Sequence, residues 1–259
     1  MVIFSNLGDI SIKVCYNYIG DNMMRLFLIF VFLFYMGSSV GWILELFYRR
    51  FEHKKWVNPG FLVGPYLPIY GLGLVIVTAL HVFLARYNLN PLITIGLMGL
   101  CMTLLELITG LYFLKLKVRL WDYTGYFLNF KGVICLHMTL IWTGLAALYY
   151  YFLADYVMIA LSWFSSHLSF SYVLGIFTGV IVIDFVYSSK LYKKIRKYAK
   201  NNNVVIMYEN LKLHIREFQE KAEEKYSFLL PFKQTRNLLE YLVGYKPEIP
   251  KTKGKKAKK

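Results

Sequence analysis

Apolar residues in this chain fall in long, nearly uninterrupted runs rather than in alternating or one-sided stripes. A hydrocarbon core of about 30 Å asks for roughly 20 apolar residues of helix, and five runs approach or exceed that length. They extend from about Met24 to Phe47, Ile69 to Phe83, Leu92 to Leu114 behind the helix-starting Pro91, Val133 to Leu153, and Tyr172 to Tyr187. Arg25 and Gly37-Ser38-Ser39 give the first run a likeness to a secretion signal. Its apolar character resumes from Trp42 to Phe47, too long for the core of such a signal, so it reads as a retained helix. The pattern predicts an all-α, polytopic membrane bundle of about five spans over residues 23–190, after an extracytoplasmic segment over 1–22.

The charges between the runs orient the bundle. Arg49, Arg50, Lys54 and Lys55 follow the first run, and Lys115, Lys117, Arg119 and Lys131 follow the third. Only Arg86 follows the second, and residues 154–171, expected to be the loop after the fourth, hold no Lys or Arg. Basic connections face the cytoplasm, which places the N-terminus outside and the C-terminus inside.

Beyond Lys190 the pattern changes. Leu211, Ile215, Phe218 and Ala222 recur at spacings of four, three and four, one apolar stripe of a cytoplasmic helical segment over 191–245. Glu217 and Lys221 are spaced for an ion pair on its other side. Pro231 is expected to end this helix, and Leu238 to Val243 suggest a short second one. Residues 246–259 form a polybasic tail without the apolar content that would fold it.

Composition sharpens this picture. Apolar residues make up 57% of the chain and charged ones 17%, against about a quarter in soluble domains. The net charge of +15 is concentrated in residues 190–259, where 19 Lys/Arg face 7 Asp/Glu. Charge beside membrane spans points to anionic lipid headgroups rather than nucleic acid, with Lys190, Lys193, Lys194, Arg196 and Lys197 as the contacts. Cys15, Cys101 and Cys135 have neither disulfide nor metal spacing, and the last two read as small buried residues. No metal and no cofactor are expected.

Three carboxylates interrupt the runs, namely Glu45, Glu106 and Asp184, all in the cytoplasmic half by this topology. A carboxylate there costs about 2.5–3.5 kcal/mol on insertion scales, so each must face protein or water. Either they share a polar cavity that binds a cation, a substrate amine or a proton, or each pairs with a nearby cation or caps a helix. Between Asn58 and Gly71 three prolines and three glycines exclude a continuous helix. The stretch is apolar enough for membrane depth, where unpaired backbone survives only inside protein or along a cavity. It is either a re-entrant or broken-helix element, of the kind that builds transporter sites, or a tight interfacial loop. Asn58 and Tyr70 in this stretch, and Asp122 in Trp121-Asp122-Tyr123, join the candidate substrate or ion ligands. Asp122 also reads as an ion-pair partner amid Lys117, Arg119 and Lys131, and the two aromatics as interfacial anchors. His81 and His137 are expected in helix–helix hydrogen bonds. Ile43-Leu44-Glu45-Leu46 and Leu104-Leu105-Glu106-Leu107, each followed by a basic loop, an Asn before a Gly and another span, outline an internal two-helix repeat.

No phosphate-binding loop, zinc-protease motif, nucleophile elbow or kinase set occurs, so the chain is not expected to be an enzyme. Gly41-Trp42 with Glu45, Asn58-Pro59-Gly60-Phe61, Gly64-Pro65, Pro68-Ile69-Tyr70-Gly71, Glu106, and Trp121-Asp122-Tyr123 with Gly132 resemble the ABC-transporter type IV permeases, small multi-pass bacterial membrane proteins, over about residues 26–150. The resemblance implies a transport subunit of the cell membrane. The missing phosphate-binding loop then implies a separate ATP-binding subunit, within a homo- or hetero-oligomer. The alternative is a membrane scaffold or regulatory protein acting through its basic cytoplasmic helix.

Overall fold

The computed structural model describes residues 23–221 except residue 88, and the side chains of 23 and 218–221 are not included. The segment 1–22 with Cys15, expected to be extracytoplasmic, the stripe positions Phe218 and Ala222, the Lys221 pairing, Pro231, Leu238–Val243 and the basic tail therefore lie outside the described residues.

The chain is mostly helical. Its elements are α1 (Met23–His53), α2 (Pro68–Ala85), α3 (Pro91–Lys115), β1 (Val118–Arg119), α4 (Leu136–Leu148), a π-helical turn (Tyr149–Leu153), α5 (Ala154–Ser166), a 3-10 turn (Leu168–Phe170), α6 (Ser171–Asn201), β2 (Ile206–Met207) and α7 (Tyr208–Lys221). Five helical stretches are long and apolar enough to cross a membrane, namely Met24–His53, Pro68–Ala85, Pro91–Lys115, Leu136–Ser166 and Leu168–Asn201. Pro68 and Pro91 stand at the first helical position, where the missing N–H costs nothing, and Asn90 accepts from Leu92 N at 2.9 Å to cap α3.

Helices α1 and α2 pack closely because small residues line their crossing. A Cβ on Gly41 would meet Tyr70 Cβ and Cγ at 2.3 Å, and one on Gly71 would meet Ser38 Oγ at 2.2 Å. Leu67 N donates to Ser38 O at 2.9 Å across the same contact. The main core joins Leu33, Met98, Met158, Leu161 and Phe164, with Phe32 stacked on Phe164 at 4.7 Å. A second core lies where β1 and β2 pair in parallel. It holds Val118, Tyr192, Ile195, Ala199, Ile206, Leu211 and Ile215. The apolar stripe of α7 is thus covered by its own chain, at Leu211 and Ile215.

Several boundaries differ from the sequence expectation. Helix α1 continues through Arg49 and Arg50 to His53, because Arg49 reaches Glu45 one turn back at 3.2 Å and no breaker precedes Lys54, whose φ is 59°. The fourth span begins at Leu136 rather than Val133 and runs to Ser166, so most of the expected loop over 154–171 is helix. Ala154–Ser166 lacks Gly and Pro and holds a single charge, Asp155, so a count of basic residues cannot separate it from a loop. Helix α6 likewise runs on through the basic stretch to Asn201. The π-helical turn has a packing cause. Trp142, Ala146 and Tyr149 are buried, then Ala154, Val157, Met158, Leu161 and Phe164, so the buried stripe takes one five-residue step. A π turn absorbs that step without ending the helix.

Candidate functional site

Glu45 and Glu106 come from equivalent places in two helix pairs. Glu45, near the end of α1, accepts from Tyr70 Oη on α2 at 2.9 Å and is paired with Arg49. Glu106, near the end of α3, accepts from Trp142 Nε1 on α4 at 3.0 Å and from Tyr123 Oη at 3.0 Å. The rings of Tyr70 and Trp142 lie 5.8 Å apart, so the two carboxylates stand on either side of one aromatic pair. Glu106 is 3% exposed, and among the described residues no Lys, Arg or His is within ion-pair distance of it. Burial, followed by the negative charge and hydrogen bond of Glu106, holds the Tyr123 phenol far above its usual range.

Asp184 stands elsewhere. On α6 it accepts from Val63 N at 3.1 Å, Gly64 N at 2.7 Å, Ser188 Oγ at 2.8 Å and the Tyr66 hydroxyl, and so binds the irregular segment before α2. Burial and the Asp184 bond drive the Tyr66 phenol well up. Asn58, 1% exposed, anchors the same segment from within. Its side chain accepts from Trp42 Nε1 at 3.0 Å and Gly60 N at 3.1 Å and donates to Val63 O at 2.7 Å. These partners supply the hydrogen bonds that the prolines and glycines deny to a helix. Asp122 is bound to Arg119, the ion pair the loop composition suggested, and accepts from Thr124 N at 3.1 Å.

The structure thus brings Glu45, Tyr70 and Glu106 together and places Asn58 with Asp184, and Asp122, at separate points. Lys190, Lys193, Lys194, Arg196 and Lys197 are all exposed on α6, whose buried residues in that stretch are Tyr192, Ile195 and Ala199. His81 differs from its expected hydrogen-bonded role. Its buried Nδ1 has no partner and its ring meets Tyr149 and Tyr150 edge-on, so the ring makes aromatic contacts there. His137 stacks on Tyr126 at 5.8 Å. Cys135 is buried and Cys101 half-buried.

Sequence reasoning passed over Trp142, Arg49, Glu209 and Lys212. Trp142 lies inside an apolar run, where nothing marks the face it turns toward Glu106. Arg49 bridges Glu45 and Glu209 of α7, and Glu209 also meets His53 Nε2 at 2.7 Å. Glu52, His53 and Glu209 offer metal-ligand atoms within 4.8 Å of one another, but the Arg49 guanidinium already supplies the positive charge on that Glu209 oxygen.

No curated protein and no solved structure matches the chain. Residues 32–189 match the family described as "Putative ABC-transporter type IV". The matched region reaches further than the resemblance over 26–150, taking in the fifth span and Asp184, and it ends before α7. With its five membrane-length helices and more than half its length matched, the chain belongs to this ABC-transporter type IV family of membrane proteins.

Proposed function

We propose that the chain is the permease-like membrane subunit of an ABC-type transporter and that a separate subunit binds and hydrolyses ATP. Family membership supports the transport reading, and the sequence has no phosphate-binding loop with which to hydrolyse ATP itself. The chain has no catalytic role of its own in this reading. Its basic connections and the cations of α6 face the cytoplasmic leaflet of the bacterial cell membrane, with the N-terminus outside.

The observation that carries the reading is Glu106. A carboxylate inside an apolar span, 3% exposed and without a cationic partner among the described residues, is costly unless its charge is used. With Glu45, Tyr70, Tyr123 and Trp142 it forms an acidic, aromatic-walled centre suited to a cation, a substrate amine or a proton. Purification from native membranes in mild detergent tests the assembly, with a nucleotide-binding subunit expected to accompany the chain. Repeated recovery without one sinks the permease reading. The scaffold reading has less apolar stripe to work with, because Leu211 and Ile215 are buried within the chain.

A further inference from the structure

Lys212 of α7 is 3% exposed although it belongs to a polar helix outside the spans. Its Nζ donates to the main-chain carbonyl of Asn58 at 2.8 Å and, more closely still, to that of Gly60. The face of Tyr208 lies 4.5 Å away. Two carbonyl oxygens and an aromatic face, each a cation-recognising group, converge on one atom. The oxygens are set in place beforehand, because Trp42 Nε1 and Gly60 N both hold the Asn58 side chain. Carbonyl oxygens of unwound segments are the groups with which transporters coordinate small cations. An ammonium group carries the same charge as a potassium ion, at a similar size.

We propose that the carbonyl oxygens of Asn58 and Gly60 form a receptor for a small monovalent cation, potassium or a primary ammonium, and that Lys212 fills it as a tethered cation. Helix α7 is then a plug. Arg49 and His53 hold it through Glu209, Lys55 holds it through Glu217 at 3.5 Å, and Leu211 and Ile215 seat it in the second core. Burial and the nearby Arg49 charge push Lys212 well below the usual lysine range, and the two carbonyl oxygens are what favours its charged form there. The receptor lies inside the region matched to the family and its plug lies beyond that region. The receptor oxygens belong to neither Glu45 nor Glu106, although Arg49 links that centre to the plug, and the receptor does not depend on what the centre binds.

The test compares the full-length wild type with Lys212→Ala in neutral-lipid nanodiscs. Melting is measured in potassium, methylammonium and N-methyl-D-glucamine chlorides at equal ionic strength. The variant is expected to melt roughly 3–5 °C higher in potassium or methylammonium than in N-methyl-D-glucamine, and the wild type to show no such difference. A response to potassium alone assigns the receptor to the metal ion, and a response to methylammonium alone assigns it to amines. Equal melting of the variant in all three salts overturns the proposal, as does an equal cation response in the wild type. Should Lys212→Ala be lost during purification, recovery becomes the measurement. Monodisperse protein in potassium or methylammonium but not in N-methyl-D-glucamine supports the receptor, and loss in all three overturns it.

Discussion

At the residue scale, the chemistry rests on which atoms can donate and which can only accept. Trp142 Nε1 is a donor only, whereas the Tyr123 hydroxyl can do either, so a glutamine at 106 can satisfy both neighbours. Glu106→Gln is therefore expected to melt within about 3 °C of wild type while losing substrate-dependent activity. Glu106→Leu, which strands the Trp142 donor, is expected to cost about 1–3 kcal/mol in a denaturation series. Normal activity in the glutamine variant would remove Glu106 from the site. Tyr66 gives a pH signature. Its phenol is raised in the folded state, so its stabilising share is complete below the unfolded value of about 10 and fades as pH rises above that. The stability gap between wild type and Tyr66→Phe should be constant from pH 7 to 9 and narrow at higher pH. Glu45 and Glu106 were legible in the sequence because a charge inside an apolar run is conspicuous. Their partners Tyr70, Tyr123 and Trp142 were not legible as partners, since aromatic residues are common in spans and at their ends. Asp184 was equally conspicuous, but only the fold could show that its bonds go to the backbone at Val63 and Gly64.

At the element scale, the α1–α2 crossing is the contact most sensitive to side-chain size. Gly41→Val puts bulk where Tyr70 already stands, so the helices must part and the Tyr70–Glu45 bond must lengthen. Overpacking of this kind costs about 1–3 kcal/mol. The variant should melt several degrees lower and lose activity, whereas Gly144→Ala, with nothing within 4 Å of the added carbon, should do neither. The apolar runs made the five long helices legible. Their ends were less so, because hydropathy reads lipid contact while a helix ends where hydrogen bonding or a breaker ends it. Arg49 and the α6 lysines are helical and charged, and Ala154–Ser166 is helical where a loop was expected.

At the scale of the whole molecule, the connections over 54–67 and 116–135 and helix α7 meet at one end of the bundle. Lys212 reaches Asn58, Asp184 reaches Gly64, and Val118 pairs with Ile206. The segments around Arg86 and His167 close the other ends of the helices. With basic residues inside, cysteines introduced at residues 87 and 167 should react with an impermeant thiol reagent in intact cells. Cysteines at 54 and 131 should react only after permeabilisation, and labelling of 54 together with 167 would refute the orientation. The sequence repeat between the Glu45 and Glu106 regions has a structural counterpart, since each pair is a helix bearing a carboxylate, an irregular connection, and a helix bearing its aromatic donor. The return of α7 onto residues 58–60 had no local signal, because it joins positions over 150 apart.

The wide turn at Tyr149–Leu153 makes the fourth span a matter of counting as well as of composition. Deleting Tyr151 alone would leave an equally oily stretch of nearly the same length, acceptable to any hydropathy criterion. It would also turn the five-residue step from Tyr149 to Ala154 into a four-residue one, which an ordinary α-helix meets without a wide turn. Phe164 would then keep its place against Phe32, whereas deleting Ile159, in the regular helix beyond the turn, would swing every later position by about 100° and carry Phe164 away. A missing codon would thus be absorbed within the wide turn and damaging just past it, although hydropathy scores both deletions alike.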